Sequence, residues 1–521
     1  MGYWFNNAII YHLHPLGFLS PQQGSNDEKS VYSLNKISSL IPRMKELNAD
    51  ALYLGPVFES GSCGLDTKDF MKIDSRIGDN NSFRKLCHEL HSNSVRIVLE
   101  IVFNRVGRDF FAFQDVKEKK SSSAYCGWFQ NLNFGAESPY GDDFWYEGFN
   151  DRFDLVKLNM RNPQVIEYIS RVINFWIDEF DIDGIAFDCA DCLDFDFFKR
   201  INRLCKSKKP DLWLMGKLAH GDYKRWANPE MLDSIANYEC CRSLTAAFNS
   251  SCYEIDFAIN RQSGPNGIYK GMHLYNFIQS SSTLHNIRNL SILYTLLYTM
   301  PGIPSVYYPD ESCTQQSQHN DIYHSSTPSD AGNETIPDNS KQLHDHLIRL
   351  GKIYRAYPEL RTGDYATVMT RNKQFVFSKT QNGQVSYVIL NTGDLSCEIT
   401  IETTLKDLAD ILGDLPLRYT DSTVSVTLPP HTSAVISRIS ELDACDAEIT
   451  AESNKTDVVP GELYKHYKGN IYRVLCVAKH TETMEELVVY QSQSDESKIW
   501  ARPKTIFTDT VDGIKRFSII Q

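Results

Sequence analysis

From its start to about residue 357, the chain alternates short apolar runs with amphipathic stretches. Eight apolar runs have strand character, and they cover residues 8–18, 51–58, 95–103, 184–190, 212–218, 234–239, 273–280 and 305–308. Helical patterns lie between them, for example at 37–47, 83–90, 165–177 and 284–300. Because strands and helices alternate in order, we predict a parallel sheet closed into a (β/α)8 TIM barrel, an α/β fold.

The helix predicted at 165–177 shows the pattern clearly. Its apolar residues recur at steps of three and four positions: Val165, Ile166, Ile169, Val172, Ile173, Trp176 and Ile177. Asn162 and Pro163 precede this run, and these residue types favour the N-cap and the first helical position. The pattern therefore predicts an amphipathic helix that begins at about residue 163.

A long connection, residues 107–156, follows the third predicted strand. It is rich in Gly, Asp, Asn and aromatic residues, the latter including Trp128, Phe129, Tyr140, Trp145, Tyr146 and Phe149. Connections of this length at the top of a barrel usually have a function. The aromatic side chains would either line a binding groove or form a small core of the loop itself.

The pattern changes after the last barrel helix. Residues 375–378, 385–390 and 423–428 alternate apolar and polar positions, which predicts an all-β sandwich. A polar stretch then precedes sixty residues with strand-like runs at 471–477 and 487–490. We divide the chain into a barrel at 1–360, a sandwich at 361–440, a linker at 441–458 and a small β domain at 459–521.

Composition narrows the classes of partner and compartment. The net charge of −13 argues against nucleic acid or an anionic membrane as a partner. No run of about 18 apolar residues is present, and the N-terminus lacks the features of a signal peptide. None of the thirteen cysteines has zinc-site spacing. We expect free thiols, no metal, no cofactor and a cytoplasmic location.

Four segments at the ends of predicted strands form a recognisable series: Glu100-Ile-Val-Phe-Asn-Arg105, Gly184-Ile-Ala-Phe-Asp188, Leu214-Met-Gly-Lys217 and Phe277-Ile-Gln-Ser-Ser-Ser282. Residues 64–67, 73–78 and 301–308 add flanking matches. In order and spacing, residues 1 to about 440 resemble the α-amylase family of glycoside hydrolases, especially its intracellular maltodextrin-acting, neopullulanase-like members. The last sixty residues resemble a small bacterial domain of uncharacterised function.

The resemblance implies a site for retaining hydrolysis, which uses two carboxyl groups about 5–5.5 Å apart. Asp188 stands at the position of the nucleophile. Lys217 stands at the acid/base position, and Ser282 stands where the family has a third carboxylate. Ser281 occupies the place of a neighbouring histidine that binds the transition state. One of the three carboxylates is therefore retained.

The substrate-binding positions are altered as well. Ala186 stands where an arginine would hold the nucleophile ionised, and Arg105 stands where a second histidine would lie. Leu65 replaces a tyrosine that would stack on a sugar ring, and Glu100 replaces an aspartate. Asn104 is kept. We expect Ser281 and Ser282 to fill vacated space, although they could also hydrogen-bond a sugar.

Lysine is a poor acid/base, because its unperturbed pKa of about 10.4 keeps it charged at neutral pH. We expect Lys217 to pair with Asp188 and to supply the positive charge lost at Ala186. For Arg105 we expect a salt bridge to Glu100, with an anionic ligand as the alternative. General acid–base assistance contributes roughly 10²–10⁴ in rate, so its loss would nearly disable the site.

These observations leave three hypotheses. The preferred one is a catalytically impaired protein of intracellular α-glucan (maltodextrin) metabolism that has a glucan-binding or a regulatory role. The second is an active glycosidase with Asp188 as nucleophile and a non-standard acid, although none of Asp191, Glu239, Asp310 and Glu311 has convincing spacing. The third is a platform for protein interaction through the C-terminal domain. An α-glucan or maltooligosaccharide is the expected ligand, and dimeric relatives leave a homodimer open.

Overall fold

The structure is a computed structural model. It describes residues 2–19, 34–62, 64–249, 251–278, 287–308, 310, 338–438, 458, 461–467, 469–480, 486–493, 498–508, 510–511 and 514–519. The chain divides into two compact units, Met1–Ile439 and Ser440–Gln521. The first unit contains both the barrel and the sandwich. We propose that the boundary between these two domains lies at about residue 360.

Eight parallel strands form the barrel. In chain order they are β1 (Ile10–Leu13), β2 (Ala51–Leu54), β3 (Arg96–Ile101), β4 (Gly184–Phe187), β5 (Trp213–Gly216), β6 (Ser234–Ile235), β7 (Tyr275–Asn276) and β8 (Ile303–Tyr307). Neighbouring strands pair in the order β6-β5-β4-β3-β2-β1-β8-β7. A parallel bridge between Ala236 and Tyr275 joins the two ends and nearly closes the barrel. The predicted fold class is confirmed.

The barrel interior is a packed core. Its buried residues come from the barrel strands and from segments next to them: Phe5, Ala8, Ile10, Ala51, Tyr53, Val98, Ala186, Trp213, Met215, Ala236, Tyr275 and Ile303. At the N-terminal end, the Phe5 ring stacks on Trp213 with the ring centroids 5.7 Å apart. Because the strands' N-terminal ends are filled in this way, functional side chains must lie at their carboxyl ends.

The longer helices are Asn80–Ser92, Pro163–Phe180, Phe195–Lys208, Tyr238–Asn249, Cys252–Ser263, Ile287–Thr299 and Asp338–Ala356. Helix Pro163–Phe180 begins where the sequence predicts, and Asn162 accepts a hydrogen bond from the Gln164 N–H at 2.8 Å. The helix predicted at 37–47 is instead two short helices, Asn35–Ser38 and Ile41–Glu46. Pro42 lies at the start of the second, where a missing N–H interrupts the helical hydrogen bonds.

The 107–156 connection has its own secondary structure. It contains helix Phe111–Lys119 and a small antiparallel sheet of Arg105–Gly107, Arg152–Lys157 and Gly148–Phe149. The Phe113 ring lies at the centre of a buried cluster, with ring centroids 5.2 Å from Phe129, 5.9 Å from Phe144 and 4.9 Å from Tyr146. Of the two alternatives, several of these aromatic residues follow the second and form a core of the loop, whereas Tyr140 and Trp145 are exposed.

Two antiparallel sheets follow the barrel. The first has five strands: Asp364–Thr370, Gln374–Gln381, Gln384–Asn391, Thr432–Arg438 and Leu408–Asp410. The second has three strands: Cys397–Glu402, Thr423–Leu428 and Leu417–Tyr419. Val376 and Ile389 of the first sheet share a buried cluster with Ile399 and Val424 of the second. The sheets therefore pack face to face as the predicted sandwich.

Among its described residues, the second unit has a five-stranded antiparallel sheet, a short helix and a two-stranded antiparallel sheet of Thr510–Val511 and Ile514–Lys515. The strands of the larger sheet are Ile499–Pro503, Glu486–Ser492, Ile471–Lys479, Leu463–His466 and Phe517–Ile519, and the helix is Lys504–Thr508. Val474, Val488, Phe507 and Phe517 are buried in a core of its own. Apart from Val458, the predicted linker lies outside the described residues. In the part of the chain that the structure describes, no helix is long and apolar enough to cross a membrane.

Candidate functional site

Residues at the carboxyl ends of three adjacent strands meet in one buried group. Glu100 lies in β3, Asp188 directly follows β4, and Lys217 directly follows β5. Arg105 lies just beyond β3. Because β3, β4 and β5 are neighbours, their carboxyl ends converge at the top of the barrel.

The Asp188 carboxylate is held by two cations. Arg105 Nη2 donates to Asp188 Oδ2 at 2.9 Å, and Lys217 Nζ lies 3.5 Å from Oδ1. The Cys189 thiol also donates to Oδ2 at 3.3 Å. Asp188 and Arg105 are only 5% and 3% exposed. Both oxygens of the retained carboxylate therefore have positively charged partners in a buried setting.

Glu100 completes the charge balance. Lys217 Nζ donates to Glu100 Oε1 at 2.8 Å, and the Tyr53 hydroxyl donates to Oε2 at 2.6 Å. Two carboxylates and two cations thus form one network, which we call the strand-end ion cluster: Glu100, Arg105, Asp188 and Lys217. Buried charges need partners of opposite charge, because a buried charge without one loses its hydration and gains no interaction that offsets the loss.

Electrostatics fix the charge states around the cluster. Burial favours the neutral form of Asp188, but Lys217 and Arg105 outweigh it and hold the pKa of Asp188 below its usual range. Burial, and then the charge of Lys217, lower the pKa of His12 well below its usual value. Burial, reinforced by Glu100, raises the pKa of Tyr53 well above its usual value. At neutral pH Asp188 is therefore ionised and His12 is neutral.

One of the two pairing expectations needs revision. Arg105 pairs with Asp188 and not with Glu100, because both Glu100 oxygens are taken by Lys217 and Tyr53. Lys217 does lie near Asp188, but its closer carboxylate is Glu100. Positive charge at Asp188 is therefore supplied by both Lys217 and Arg105. The adjacency of β3 and β4 was a signal for this pair, since both residues follow neighbouring strand ends.

An apolar cover lies over the cluster. Leu65 is buried against Val102, Leu155 and the partly buried Phe149. The Phe149 ring also lies over the Arg105 guanidinium, with its centroid 4.2 Å from Cζ. From its sequence position, Phe149 is predicted only as one of the aromatic residues of the long connection. At this point a side chain of the protein therefore packs against the arginine that pairs with the retained carboxylate.

The remaining predicted site residues have mixed positions. Asn104 is buried, and its Oδ1 accepts from Arg105 Nη1 at 2.9 Å. Ala186 points into the barrel core. Ser281 and Ser282 lie outside the described residues. The described residues contain no group of three or more His, Cys, Asp and Glu side chains that could hold a metal ion.

Other acids near the strand ends differ in their surroundings. Glu239 pairs with Arg261 at 3.0 Å, and Asp310 accepts from the Tyr294 hydroxyl at 2.9 Å. Asp191 lies in a one-turn helix, Ala190–Cys192, directly after the retained aspartate. Burial raises the pKa of Asp191. Glu311 lies outside the described residues.

Comparison with known families identifies the two parts of the chain. A family described as "Alpha amylase, catalytic domain" matches residues 23–349, which is more than half of the chain. The chain therefore belongs to the α-amylase family. Residues 462–518 match DUF1653, a family described as a protein of unknown function.

Individual relatives agree with this assignment. The chain is similar to a cyclomaltodextrinase of Thermoanaerobacter pseudethanolicus, with 27% identity over 74% of this chain and 70% of that protein. It is also similar to neopullulanase 2 of Thermoactinomyces vulgaris, with 30% identity over 59% of this chain and 57% of that protein. Among solved structures, a debranching enzyme of Nostoc punctiforme superimposes with a TM-score of 0.71 at 23% identity. That match covers 84% of this chain and all of the other.

Proposed function

We propose that this protein is a catalytically impaired member of the α-amylase family that binds an α-glucan of the maltodextrin type. It acts as a glucan sensor or regulator in the cytoplasm. The observation that carries the proposal is the strand-end ion cluster, in which Arg105 and Lys217 take up both oxygens of Asp188.

A nucleophilic carboxylate must present a lone pair to the anomeric carbon. For Asp188 this requires the displacement of Lys217 or Arg105. Displacing Lys217 would also leave Glu100 without its cation, because the same ammonium serves both carboxylates. Breaking a buried ion pair is unfavourable by about 3–5 kcal/mol. The cluster therefore opposes attack by Asp188.

The acid/base function has no replacement inside the cluster. Glu100 accepts hydrogen bonds from an ammonium and a hydroxyl, so both of its oxygens are already engaged within the cluster. Carboxylates around an ammonium favour its charged form, which withholds the proton that a leaving group needs. Binding of a glucan can persist without these steps.

The class of ligand is inferred from the relatives and from the aromatic residues near the cluster. Relatives named cyclomaltodextrinase and neopullulanase suggest an α-glucan. Tyr238 and Phe277 are partly buried beside the barrel core, with ring centroids 5.0 Å apart. The charge of Lys217 acts on Tyr238, which places that ring close to the cluster. Rings in such a position offer faces for stacking on sugars.

Calorimetric titration of maltose through maltoheptaose into the purified protein tests the proposal. We expect saturable binding by the natural protein and at least about tenfold weaker binding by Tyr238→Ala. The matched control is Tyr253→Ala, since Tyr253 is an exposed tyrosine on helix Cys252–Ser263. Absence of binding to every oligosaccharide, or equal binding by both variants, would contradict a glucan site at this position.

One observation favours a second candidate function, an active glycosidase with Asp188 as nucleophile and Asp191 as acid. Burial raises the pKa of Asp191, the direction that a general acid requires, and Asp188 acts in the same direction. This candidate predicts release of reducing ends that Asp191→Asn abolishes. If neither binding nor release occurs, the remaining hypothesis is a protein-interaction platform that acts through the C-terminal domain.

A further inference from the structure

Two cysteines bracket the turn that follows Asp188. The sequence Cys189-Ala190-Asp191-Cys192 has Cys-x-x-Cys spacing. Residues Ala190–Cys192 form one turn of 3₁₀-helix, and the Cys192 N–H donates to the Cys189 carbonyl at 2.9 Å. A turn closed in this way brings its end Cα atoms within about 7 Å. Disulfides span Cα separations of roughly 4.4–6.8 Å, so the backbone is compatible with a bond between these residues.

The two thiols have different surroundings. The Cys189 thiol donates to Asp188 Oδ2 at 3.3 Å and accepts from Arg105 Nη1 at 3.7 Å. Cys192 is exposed. The charges of Asp191, Lys157 and Arg105 all act on it, which places its sulfur at the edge of the strand-end ion cluster. One thiol is therefore open to a soluble oxidant, and the other contacts the retained carboxylate.

We propose that Cys189 and Cys192 are a thiol–disulfide modification site, whose oxidation by a small-molecule disulfide such as glutathione disulfide changes the hydrogen bonding of Asp188. In the reduced form Cys189 donates to Asp188. In the disulfide the S–H is gone, so Asp188 loses this donor and keeps its two cations. The site thus connects the thiol redox state to the barrel's strand ends.

The exchange proceeds in two steps. The Cys192 thiolate attacks one sulfur of glutathione disulfide, which breaks its S–S bond and releases one glutathione thiolate. That thiolate takes up the proton that Cys192 lost. Cys189 then loses its proton and attacks the Cys192 sulfur of the mixed disulfide, which expels the second glutathione. The protein loses two protons and two electrons, and glutathione disulfide takes them up to become two glutathiones.

Thiol acidity sets the speed of these steps. Burial, with Asp188 second, raises the pKa of Cys189 to about 12. Burial and then Asp191 raise the pKa of Cys192. The thiolate fraction is therefore small at neutral pH, and the exchange is slow but accelerates as the pH rises.

Mass spectrometry of the full chain tests the site. The protein is incubated with glutathione disulfide, remaining thiols are alkylated after denaturation, and the peptide with both cysteines is weighed. We expect this peptide to be lighter by two hydrogens and to carry no alkyl group on either cysteine. Dithiothreitol should restore both free thiols. The disulfide should form up to about tenfold faster for each unit by which the pH is raised. The proposal would be overturned if, at pH 9, both cysteines were found alkylated while the exposed Cys476 carried glutathione in the same sample.

Variants separate the two thiols and their link to Asp188. Cys189→Ser should stop at a mixed disulfide on Cys192, and Cys126→Ser should leave the internal disulfide unchanged. Asp188→Asn removes the negative charge that opposes ionisation of Cys189, so the internal disulfide should form several-fold faster. An unchanged rate in Asp188→Asn would overturn the coupling to Asp188, and an internal disulfide lacking in Cys126→Ser would overturn the assignment of the pair.

Discussion

Arg105 shows how one side chain can compensate for another from a different strand. The resemblance to the α-amylase family implies an arginine at the Ala186 position, two residues before Asp188. Here the guanidinium comes instead from Arg105, beyond the end of the neighbouring strand β3, and contacts Asp188 at 2.9 Å. Together with Lys217 it balances Glu100 and Asp188. At the scale of residues, Glu100, Arg105, Asp188 and Lys217 therefore form one connected set of ion pairs.

The shared ammonium of Lys217 makes a prediction about stability. In Lys217→Met, Glu100 and Asp188 would keep one cation between them, so the free energy of unfolding should fall by about 3–5 kcal/mol. Urea unfolding at pH 7 measures this change. Lys199→Met is the matched control, because Lys199 forms an exposed pair with Glu230 at 3.8 Å and should change stability by about 1 kcal/mol or less. Equal losses in the two variants would contradict the cluster.

Lys379 makes a prediction about pH. It is 0% exposed, and its Nζ has no hydrogen-bond partner among the described residues. Burial, opposed only in part by Asp364, lowers the pKa of Lys379 to about 7. The unfolded chain binds this proton up to a pH of about 10.4, so stability should rise between pH 7 and 9 by up to about 1.4 kcal/mol per unit.

Lys379→Met should remove this slope and raise the free energy of unfolding at pH 7. Lys85→Met, on the exposed face of helix Asn80–Ser92, should leave both unchanged. Denaturant unfolding at pH 7, 8 and 9 measures the slope. A natural protein with no rise across this range, or a Lys379→Met variant with the same rise, would show that Lys379 is charged in the folded state.

At the scale of elements, the 107–156 connection contributes directly to the barrel site. Arg105 begins the short strand Arg105–Gly107, and its backbone lies opposite Lys157 in the loop's sheet. Phe149, from the same sheet, lies over the guanidinium. The folded loop therefore holds the arginine that pairs with Asp188, and damage to the loop core should reach the site.

Phe113→Ala removes the ring at the centre of the loop core, where a substitution of this kind destabilises by about 3–5 kcal/mol. We expect the loop to open locally and trypsin to cut faster at Lys119 or Lys120, which end helix Phe111–Lys119 and follow it. Tyr140→Ala is the control within the same loop, because Tyr140 is 56% exposed. Equal cleavage rates in the two variants would exclude a loop core built around Phe113.

The sequence predicts elements better than it predicts their side-chain contacts. The eight strand runs and the helix after Asn162 follow from local periodicity and capping, which the chain carries in adjacent residues. The prediction of one helix at 37–47 was wrong, because the chain forms two short helices there. Pro42 was a local signal for this break, but the prediction gave more weight to the apolar pattern. The pairing of Arg105 with Asp188 could not be predicted from periodicity. It depends on which strand ends are neighbours, and on the hydrogen bonds that Lys217 and Tyr53 already donate to Glu100.

At the scale of the whole molecule, the barrel and the sandwich form one compact unit. The Tyr357 hydroxyl donates to the Arg438 carbonyl at 2.6 Å, and Arg349 Nε donates to the Ile411 carbonyl at 2.7 Å. The DUF1653 unit has its own core of Val474, Val488 and their neighbours. A barrel with a closed ion cluster and an attached unit suits the proposed sensor, which needs to hold a glucan and not to cleave it.

The most direct test of this account is an assay for reducing ends released from maltoheptaose, cyclomaltodextrins and pullulan. The natural protein and Asp188→Asn are compared at equal concentration over a long incubation. The account predicts that both match the protein-free blank, because Arg105 and Lys217 hold Asp188 and no acid serves the leaving group. If the natural protein released reducing ends and Asp188→Asn abolished that release, the account would be contradicted and Asp188 would be established as a working nucleophile.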